Sequence, residues 1–358
     1  MLVFCCFRSI IEKNNRYTMH TDLVIQHNFP LQTLNSFGID ARARAYLRVT
    51  SNAQLRAALA DPRLAAMPRL LLGGGTNILL SGDFAGLVLH IVTKERKVVS
   101  LDADHTLVRA AAGENWHGFV QWTLEQGLGG LENLSLIPGT AGAAPIQNIG
   151  AYGVEVKDYF HSLTVFDSND GKTSIMDKAA CRFAYRDSIF KQADGRKLVI
   201  LDVTFALPRD WQPKLGYAEL AQALQGINAP SARQIGDAVC AIRRRKLPDP
   251  QVCGNAGSFF KNPVVSKERC LALLQRFPSL VHHAQVDGSE KLAAGWLIDQ
   301  CGWKGKSLGP AGVYPKQALV LVNHGGASGA DIMRLALAIQ DDVEARYGVR
   351  LEPEPVFV

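Results

Sequence analysis

The segment of this chain best suited to chemistry is the ten-residue run GNAGSFFKNP, which spans Gly254 to Pro263. It places Ser258 between a glycine, whose backbone can lie close to a ligand, and two phenylalanines, which can exclude water. A hydroxyl group held in such a dry pocket can give or take a proton at a defined point. The run RRRKLPDP, residues 243–250, lies just upstream and contains four consecutive cations. Together the two runs indicate an anion clamp beside a proton donor. A tight turn between two strands is the alternative interpretation of the glycine-rich run.

The composition is that of an ordinary globular protein with a mild positive charge. The chain has 358 residues, which favours two or three domains, and 47% of them are hydrophobic while 20% are charged. Lys and Arg number 39 against 33 Asp and Glu, a net charge of +6, and the densest basic run covers only residues 243–246. That run is too short for a nucleic-acid surface, and no apolar run has the length of a membrane span. We therefore expect a small anionic substrate or cofactor, with neither nucleic acid nor a membrane as partner.

The cysteines and histidines predict a reducing compartment and no metal site. The seven cysteines are odd in number and form no CxxC pair, and of nine histidines only His282 and His283 are adjacent. We expect a cytoplasmic protein with incidental thiols and no metal. Residues 1–18 include a short apolar stretch that lacks the basic region and cleavage site of a signal peptide, so we interpret them as a disordered leader or an upstream-start artefact.

A glycine loop earlier in the chain has the features of a phosphate site. The run LLLGGGTNILL, Leu70 to Leu80, predicts a strand, a turn of three glycines and a second strand. Its backbone N–H groups, unobstructed by side chains, suit a pyrophosphate. The run is not a GxGxxG loop followed by a helix, so it does not support a Rossmann-type site. A plain hairpin is the alternative.

A long apolar segment rich in glycine follows a predicted helix. Residues 115–126 place apolar side chains on one broad helical face, and Gly127 ends the helix. Residues 127–153 are rich in Gly, Ala and Pro but carry few charges, whereas a solvated linker would be more polar. We interpret this segment as a wall against a large flat ligand, with a buried structural loop as the alternative.

The next segments are predicted strands that enclose a candidate arginine. Two strands between Leu163 and Leu207 flank the run CRFAYRDSIFK, in which Arg186 lies among aromatic residues. A planar guanidinium group pairs with oxyanions through two parallel hydrogen bonds, so Arg186 is a candidate partner for a carboxylate or phosphate. A structural salt bridge is the alternative.

Helices and an extended tail are predicted in the C-terminal part of the chain. The helices include residues 218–224, residues 232–245 and a final helix that begins at Ser328 with a capping box and ends at Gly348. Glu354 follows in the extended tail, where a lone glutamate is usually exposed to solvent.

These segments, taken in order, resemble the UDP-N-acetylenolpyruvoylglucosamine reductase family from about Leu31 to Glu354. The resemblance rests on seven motifs, of which any one alone is weak: LGGGTNILL, ENLSLIPGTAGAAPIQNIGAYG, CRFAYRDSIFK, RRRKLPDP, GNAGSFFKNP, YPKQALVLVN and LEPE. Tyr217, in LGYAEL, matches the tyrosine on the mobile loop of the longer of the family's two types.

The resemblance implies an α+β fold with an FAD-binding domain of the vanillyl-alcohol-oxidase type. Two α+β subdomains of that domain would cover residues 19–90 and 91–245. A C-terminal α+β substrate-binding domain would cover residues 246–347, and a tail, residues 348–358, would carry Glu354 back to the active site.

The resemblance also implies a reaction in two halves on non-covalently bound FAD. NADPH reduces the FAD, and the reduced flavin then delivers hydride to the enolpyruvyl ether of UDP-N-acetylglucosamine enolpyruvate. A proton added to the neighbouring carbon gives UDP-N-acetylmuramate, a precursor of peptidoglycan. We expect the enzyme to be a monomer.

Three residues match the family's catalytic positions. Arg186 and Glu354 would flank the substrate carboxylate, and Glu354 would have to be protonated, which burial favours by raising its pKa. Ser258 matches the proton donor. Serine is a weak acid, so we hypothesise that Lys246 or a water relay supports its alkoxide.

Other positions match the family's binding residues. The substrate-binding residues implied are Tyr185, Tyr217, Lys246, Asn262 and Gln317. The flavin-binding residues implied are Gly73, Gly74, Gly75, Thr76, Asn77, Gly139, Gly142, Ala143, Ala144, Ile149 and Gly153.

The chain departs from the family pattern at two places. Ala143 and Ala144 stand where hydroxyl residues are expected near the flavin pyrophosphate, so FAD binding is expected either to weaken or to rely on backbone N–H groups. The chain also ends four residues after Glu354, without the further short strand that we expect, and Pro355 replaces an expected valine. This predicts a tail that holds Glu354 less firmly.

Two other functions remain as alternatives. An FAD-dependent sugar or alcohol oxidase of the same superfamily would turn over in air without NADPH. The second alternative is a non-catalytic nucleotide-sugar binder, and the presence of Arg186, Ser258 and Glu354 argues against it.

Overall fold

The computed structural model describes residues 23–358, and the predicted leader at residues 1–18 lies outside them. Within the described residues the strands, in chain order, are β1 (Gln26–Pro30), β2 (Arg42–Val49), β3 (Arg69–Leu72), β4 (Ile78–Leu79), β5 (Phe84–Ile91), β6 (Arg96–Leu101), β7 (His105–Ala111), β8 (Gly150–Ala151), β9 (Val154–Glu155), β10 (Phe160–Asp167), β11 (Thr173–Asp177), β12 (Leu198–Pro208), β13 (Gly254–Ser258), β14 (Val264–Val265), β15 (His282–Ala284), β16 (Glu290–Leu292), β17 (Ser307–Leu308), β18 (Ala311–Val313), β19 (Val320–Asn323) and β20 (Val356–Phe357).

The α-helices of the same region lie between groups of these strands along the chain. They are α1 (Asn52–Ala60), α2 (Trp116–Glu125), α3 (Val156–Tyr159), α4 (Lys178–Cys181), α5 (Ala218–Ala223), α6 (Ala232–Lys246), α7 (Lys267–Arg276), α8 (Ala294–Gln300) and α9 (Gly329–Tyr347). None of the helices in residues 23–358 combines the length and the apolar character that crossing a membrane requires.

Three sheets of four or five strands form the framework. The first has the order β1-β2-β5-β3, with β5 parallel to both β2 and β3. The second, β11-β10-β12-β7-β6, and the third, β13-β19-β18-β17, are antiparallel. One mixed sheet and two antiparallel sheets, together with the helices, confirm the predicted α+β class, whereas the domain boundaries given above stay a prediction.

The first sheet lies between two hydrophobic cores. Side chains of a strand alternate between its two faces, and a register irregularity between Ala43 and Ala45 changes the phase of this alternation in β2. Ala43 therefore packs in the core shared with the C-terminal part of the chain, while Ala45 and Leu47 pack in the core shared with the second sheet. The first sheet thus joins the two halves of the molecule.

The predicted helix boundaries agree with the structure. The Asn115 side chain caps α2 by accepting a hydrogen bond from the Gly118 N–H, and α6 ends at Lys246. In α9, Ser328 and Asp331 form the predicted capping box, and Gly348 ends the helix in the left-handed conformation at φ 62°. These local signals were sufficient because each is satisfied within a few residues of chain.

Candidate active site

The glycine loop between β3 and β4 has the geometry of an anion cradle. Gly75 has φ +60°, and a Cβ atom on it would lie 1.9 Å from the carbonyl oxygen of Leu34, so only glycine fits. Among the described residues, no acceptor takes the backbone N–H groups of Gly74 to Asn77. A row of free N–H groups of this kind suits a pyrophosphate. The loop is not a plain hairpin, because β3 pairs with β5 and β4 pairs with β20.

The predicted apolar wall faces this loop. A Cβ atom on Gly74 would lie 3.0 Å from the Cα atom of Gly139, so the two loops are in close contact. The N–H groups of Ala143 and Ala144 both donate to the Thr140 carbonyl oxygen, at 3.0 and 3.1 Å. They are engaged within a turn, so they do not replace the expected hydroxyl groups. The donors available to a pyrophosphate lie on the glycine loop instead.

The C-terminal tail is firmly held, so the expectation of a loosely held Glu354 is wrong. The Glu354 N–H donates to the Phe259 carbonyl oxygen at 2.8 Å, and the Glu354 carbonyl oxygen accepts from the Asn77 side chain at 3.3 Å. Beyond it, β20 pairs in parallel with β4. The last residues of the chain therefore provide the short strand that the sequence did not predict, and Pro355 does not prevent it.

Ser258 lies at the end of a strand rather than in a tight turn, so the alternative interpretation of this run is wrong. Residues 254–258 form β13, which pairs with β19 through a register irregularity between Asn255 and Ser258. The next two residues, Phe259 and Phe260, are fully buried, with exposures of 0 and 1%. These rings therefore anchor the strand in the core, while Ser258 lines the cleft described below.

Arg186 and Glu354 form the charged centre of the site. The Arg186 Nε atom lies 3.6 Å from the Glu354 Oε1 atom, and Arg186 Nη2 donates to the Gly150 carbonyl oxygen at 2.9 Å. Arg186 also approaches Glu155, with Nη1 3.9 Å from Oε1, so the guanidinium group is shared between two carboxylates. Burial raises the pKa of Glu354 and outweighs the opposing effect of Arg186 and two lysines. Glu354 is buried, contrary to what is usual for a glutamate in a tail.

A single cleft of about 310 Å³ joins these parts. The predicted site residues that line it are Gly73, Gly74, Gly75, Thr76, Asn77, Gly139, Ala143, Ala144, Ile149, Arg186, Ser258 and Glu354. Gly142 and Gly153 are not in its lining, and Gly142 packs so closely that a Cβ atom on it would lie 2.5 Å from that of Ala112. Five segments that are distant in sequence thus meet at one surface.

Comparison with known proteins identifies the family. A model of the FAD binding domain matches residues 43–176, and a model of the UDP-N-acetylenolpyruvoylglucosamine reductase C-terminal domain matches residues 249–358. The UDP-N-acetylenolpyruvoylglucosamine reductase of Paraburkholderia phymatum is 56% identical over 333 residues, which are 92% of this chain and 96% of the relative. That of Azoarcus sp. (strain BH72) is 58% identical over 342 residues, 94% and 98% of the two chains. This chain belongs to the UDP-N-acetylenolpyruvoylglucosamine reductase family.

A solved structure shares the fold over most of the chain. The crystal structure of UDP-N-acetylenolpyruvylglucosamine reductase from Thermus caldophilus superposes with a TM-score of 0.64 at 22% identity, covering 94% of this chain and 98% of the other. The family resemblance predicted from the motifs is therefore confirmed. FAD as cofactor is also confirmed, because residues 43–176 match an FAD binding domain. The free N–H groups of the glycine loop are compatible with the pyrophosphate of such a cofactor.

The five residues that family resemblance assigns to the substrate lie outside the lining of the cleft. Tyr185 is half-buried beside it, and its ring centroid lies 5.1 Å from the Arg186 guanidinium carbon and 4.9 Å from the Lys291 Nζ atom. Burial raises the pKa of the Tyr185 phenol. Tyr217 is 44% exposed and packs its ring edge against Tyr152, with centroids 5.0 Å apart.

The other three substrate positions have protein partners. Asn262 Oδ1 accepts a hydrogen bond from the Ala294 N–H at 2.9 Å, and Gln317 Oε1 accepts one from the Leu319 N–H at 3.3 Å. The Lys246 ammonium group is paired with the Glu219 carboxylate. Support of Ser258 by Lys246 therefore stays a hypothesis.

The four cations of the predicted anion clamp do not lie together in the cleft, and the clamp stays a prediction. Only Arg243 of the run lines the cleft, where its Nε atom donates to the Leu136 carbonyl oxygen at 3.2 Å. Arg245 joins Lys246 at Glu219, with its Nη2 atom 2.7 Å from the Glu219 Oε1 atom. Because the run is the last turn of α6, successive side chains point about 100° apart.

The sequence reasoning missed several residues of the cleft. Lys191, the last residue of the CRFAYRDSIFK motif that contains Arg186, lines the cleft. Its position five residues after Arg186 was the signal that could have identified it. Gln147 lines it as well and accepts a hydrogen bond from the Asn77 side chain at 2.6 Å. Thr140 also faces the glycine loop, since a Cβ atom on Gly73 would lie 2.6 Å from its hydroxyl oxygen.

Proposed function

We propose that this protein reduces UDP-N-acetylglucosamine enolpyruvate to UDP-N-acetylmuramate with NADPH, in the synthesis of peptidoglycan precursors. The observation that carries the proposal is the single cleft in which the glycine loop of the FAD-binding domain meets Arg186, Ser258 and Glu354. The named relatives support the same activity. FAD, bound without a covalent link, supplies the hydride chemistry by taking reducing equivalents from NADPH and passing them to the enolpyruvyl group.

Arg186 and Glu354 act on the substrate carboxylate. An enol ether that carries a carboxylate resists hydride addition because negative charge accumulates on it. The guanidinium group of Arg186 and a protonated Glu354 stabilise this charge as it develops, since both are already oriented in a water-poor site. The raised pKa of Glu354 favours the protonated form that this role requires.

Ser258 delivers the proton to the carbon next to the one that receives hydride. Its place at the cleft end of β13 supports this role. The ion pair between Lys246 and Glu219 would have to open before Lys246 could stabilise the serine alkoxide, so the structure favours a water relay over Lys246.

The nucleotide part of the substrate binds beside the cleft. Tyr185, Tyr217, Lys246, Asn262 and Gln317 contact the diphosphate or the sugar. Tyr217 is 44% exposed and directly precedes the short helix α5, so its ring is accessible to the nucleotide part of the substrate.

The partners and setting follow from the substrates. NADPH and nucleotide sugars are metabolites of the cytoplasm, and we propose that the protein acts there as a monomer, without a nucleic-acid or membrane partner. Sedimentation of the purified protein tests the monomer, since a second copy would double the apparent mass.

An FAD-dependent sugar or alcohol oxidase is the second candidate. It is less supported, because the C-terminal domain matches the reductase and the Gly73–Asn77 loop contains no histidine for a covalent flavin link.

Anaerobic stopped-flow absorbance near the oxidised-flavin band separates the two. NADPH is expected to bleach the purified holoenzyme, and UDP-N-acetylglucosamine enolpyruvate is expected to restore the colour rapidly. Recovery only after air is admitted would overturn the reductase assignment in favour of the oxidase. A protein that binds the nucleotide sugar but is neither bleached nor restored would be a binder.

A further inference from the structure

Lys191 is a second cation at the centre of the cleft. It ends the short 3-10 turn Ile189–Lys191 and lines the cleft together with Arg186, Ser258 and Glu354. Its Nζ atom donates to the Arg186 carbonyl oxygen at 3.3 Å. The side chain thus connects to the backbone of the residue whose guanidinium group faces Glu354.

The backbone of Arg186 needs such support. Its φ is +54°, in the left-handed region that non-glycine residues rarely adopt. A residue in this conformation costs on the order of 1 kcal/mol and persists only where its surroundings hold it. The hydrogen bond from Lys191 to the Arg186 carbonyl oxygen is one such restraint.

The lining of the cleft contains three basic side chains but only one acidic side chain, that of Glu354. Burial lowers the pKa of Lys191 and Lys261 lowers it further, against the opposing effect of Asp187, Glu352 and Glu354. Lys261 is paired with Glu352, whose side chain is 70% exposed, and Glu354 is driven by burial towards its neutral form. With Glu354 neutral, the lining of the cleft holds the cations Arg186, Lys191 and Arg243 and no ionised carboxylate, so an incoming carboxylate would meet positive charge there.

We propose that Lys191 is a positioning residue for Arg186 and the second cation of the carboxylate subsite. This inference rests on the proposed function, since the anion is the carboxylate of the enolpyruvyl group. A packing role alone does not explain the ammonium group, because a neutral side chain would fill the same volume without the cost of burying a charge. The charge acts most strongly where negative charge accumulates, which is the step that reoxidises the flavin.

Three variants of Lys191 test the role of the charge, with Lys172→Met as a matched control. Lys172 is 81% exposed and pairs with Asp170 at 3.6 Å, so Lys172→Met removes the same charge far from the cleft. Lys191→Met removes both the donor and the charge, Lys191→Gln keeps a donor without charge, and Lys191→Arg keeps both. Each holoenzyme is first checked for bound FAD and for its melting temperature.

The measurement is the pair of half-reaction rates in anaerobic stopped flow. We expect NADPH to bleach all variants at nearly the wild-type rate. Reoxidation by UDP-N-acetylglucosamine enolpyruvate should slow by about tenfold to a hundredfold in Lys191→Met and Lys191→Gln, the range expected from losing one charge-assisted hydrogen bond. Lys191→Arg should recover most of the rate, and Lys172→Met should match wild type.

Three results would overturn the inference. Wild-type reoxidation in Lys191→Met and Lys191→Gln would mean that the ammonium group is not used. Failure of Lys191→Arg to recover the rate, together with an equal drop in melting temperature in all three variants, would mean a packing role only. If the wild-type enzyme itself is not reoxidised by this substrate, the proposed function fails, and the inference fails with it.

Discussion

The side-chain amide of Asn77 donates a hydrogen bond to the backbone carbonyl oxygen of Glu354, at 3.3 Å and across 277 residues of sequence. Asn77 closes the glycine loop, and its own carbonyl oxygen accepts from the Val356 N–H at 3.0 Å. One residue of the loop that we assign to the flavin pyrophosphate therefore holds the backbone at Glu354 and two residues beyond it. We therefore expect cofactor binding and the placement of Glu354 to be linked through this contact.

Asn77→Ala is expected to weaken both FAD binding and the reoxidation half-reaction. It removes hydrogen bonds to Glu354 and to Gln147, each worth about 1 kcal/mol. FAD affinity by fluorescence titration and reoxidation in stopped flow measure the two effects. Asn169→Ala, in an exposed turn, is the control. Loss of FAD affinity with unchanged reoxidation at saturating FAD would show that the two parts of the site are independent.

Gly75→Ala is expected to prevent FAD binding. The new Cβ atom would lie 1.9 Å from the Leu34 carbonyl oxygen at a φ of +60°, so the loop must move, at a cost of about 2 kcal/mol or more. Gly82→Ala is the matched control, because a Cβ atom there meets nothing within 4 Å and its φ is not in the positive range. The ratio of flavin to protein absorbance after purification measures the result. Full FAD occupancy in Gly75→Ala would contradict the assignment of this loop.

The features that could be predicted from the sequence are those encoded locally. The capping box at Ser328 and Asp331, the helix end at Gly348 and the strand–loop–strand pattern around Gly73 each depend on a few neighbouring residues. The motifs also identified Arg186, Ser258 and Glu354 as candidates that the fold brings to one cleft.

The features that could not be predicted depend on long-range pairing. Nothing in the sequence of the tail indicates that β20 pairs with β4, because a two-residue strand has no periodicity of its own. The same holds for Lys246, whose proximity to Ser258 in sequence suggested support for that serine, whereas the fold pairs it with Glu219. Lys191 was overlooked because a lysine after aromatic residues is usually a solvated side chain.

Ser258→Ala is expected to separate the two halves of the reaction. It removes the proposed proton donor without changing the fold, since Ser258 lies at the end of β13 and the core contacts are made by Phe259 and Phe260. Bleaching by NADPH should be unaffected, while reoxidation by the substrate should slow by about two orders of magnitude or more. Ser174→Ala, on the exposed strand β11, should match wild type in both. Equal slowing of both halves would show that Ser258 is not the proton donor.

Glu354→Gln is expected to change stability and reoxidation in opposite directions. Burial raises the pKa of Glu354 above its value in the unfolded chain, so the folded state holds a proton that the unfolded state releases as pH rises. The wild-type carboxyl group therefore contributes its full stabilising free energy at pH values below the unfolded-state pKa. This stabilisation is lost as the pH rises towards the folded-state pKa. A glutamine side chain does not ionise, so the variant avoids the cost of burying a charge. It should melt at a higher temperature than the wild type at pH 7, and the difference should vanish towards pH 4.

The same raised pKa predicts the pH dependence of the reaction. Reoxidation by the substrate should fall in the wild type as pH rises through the pKa of Glu354, because the protonated form is the one that stabilises the developing charge. In Glu354→Gln this dependence should disappear, and the rate should be lower by about two orders of magnitude at pH 6, because the amide is a weaker donor than the carboxylic acid. Reoxidation that rises with pH in the wild type would mean that the ionised carboxylate is the active form, and the assigned role of Glu354 would be wrong.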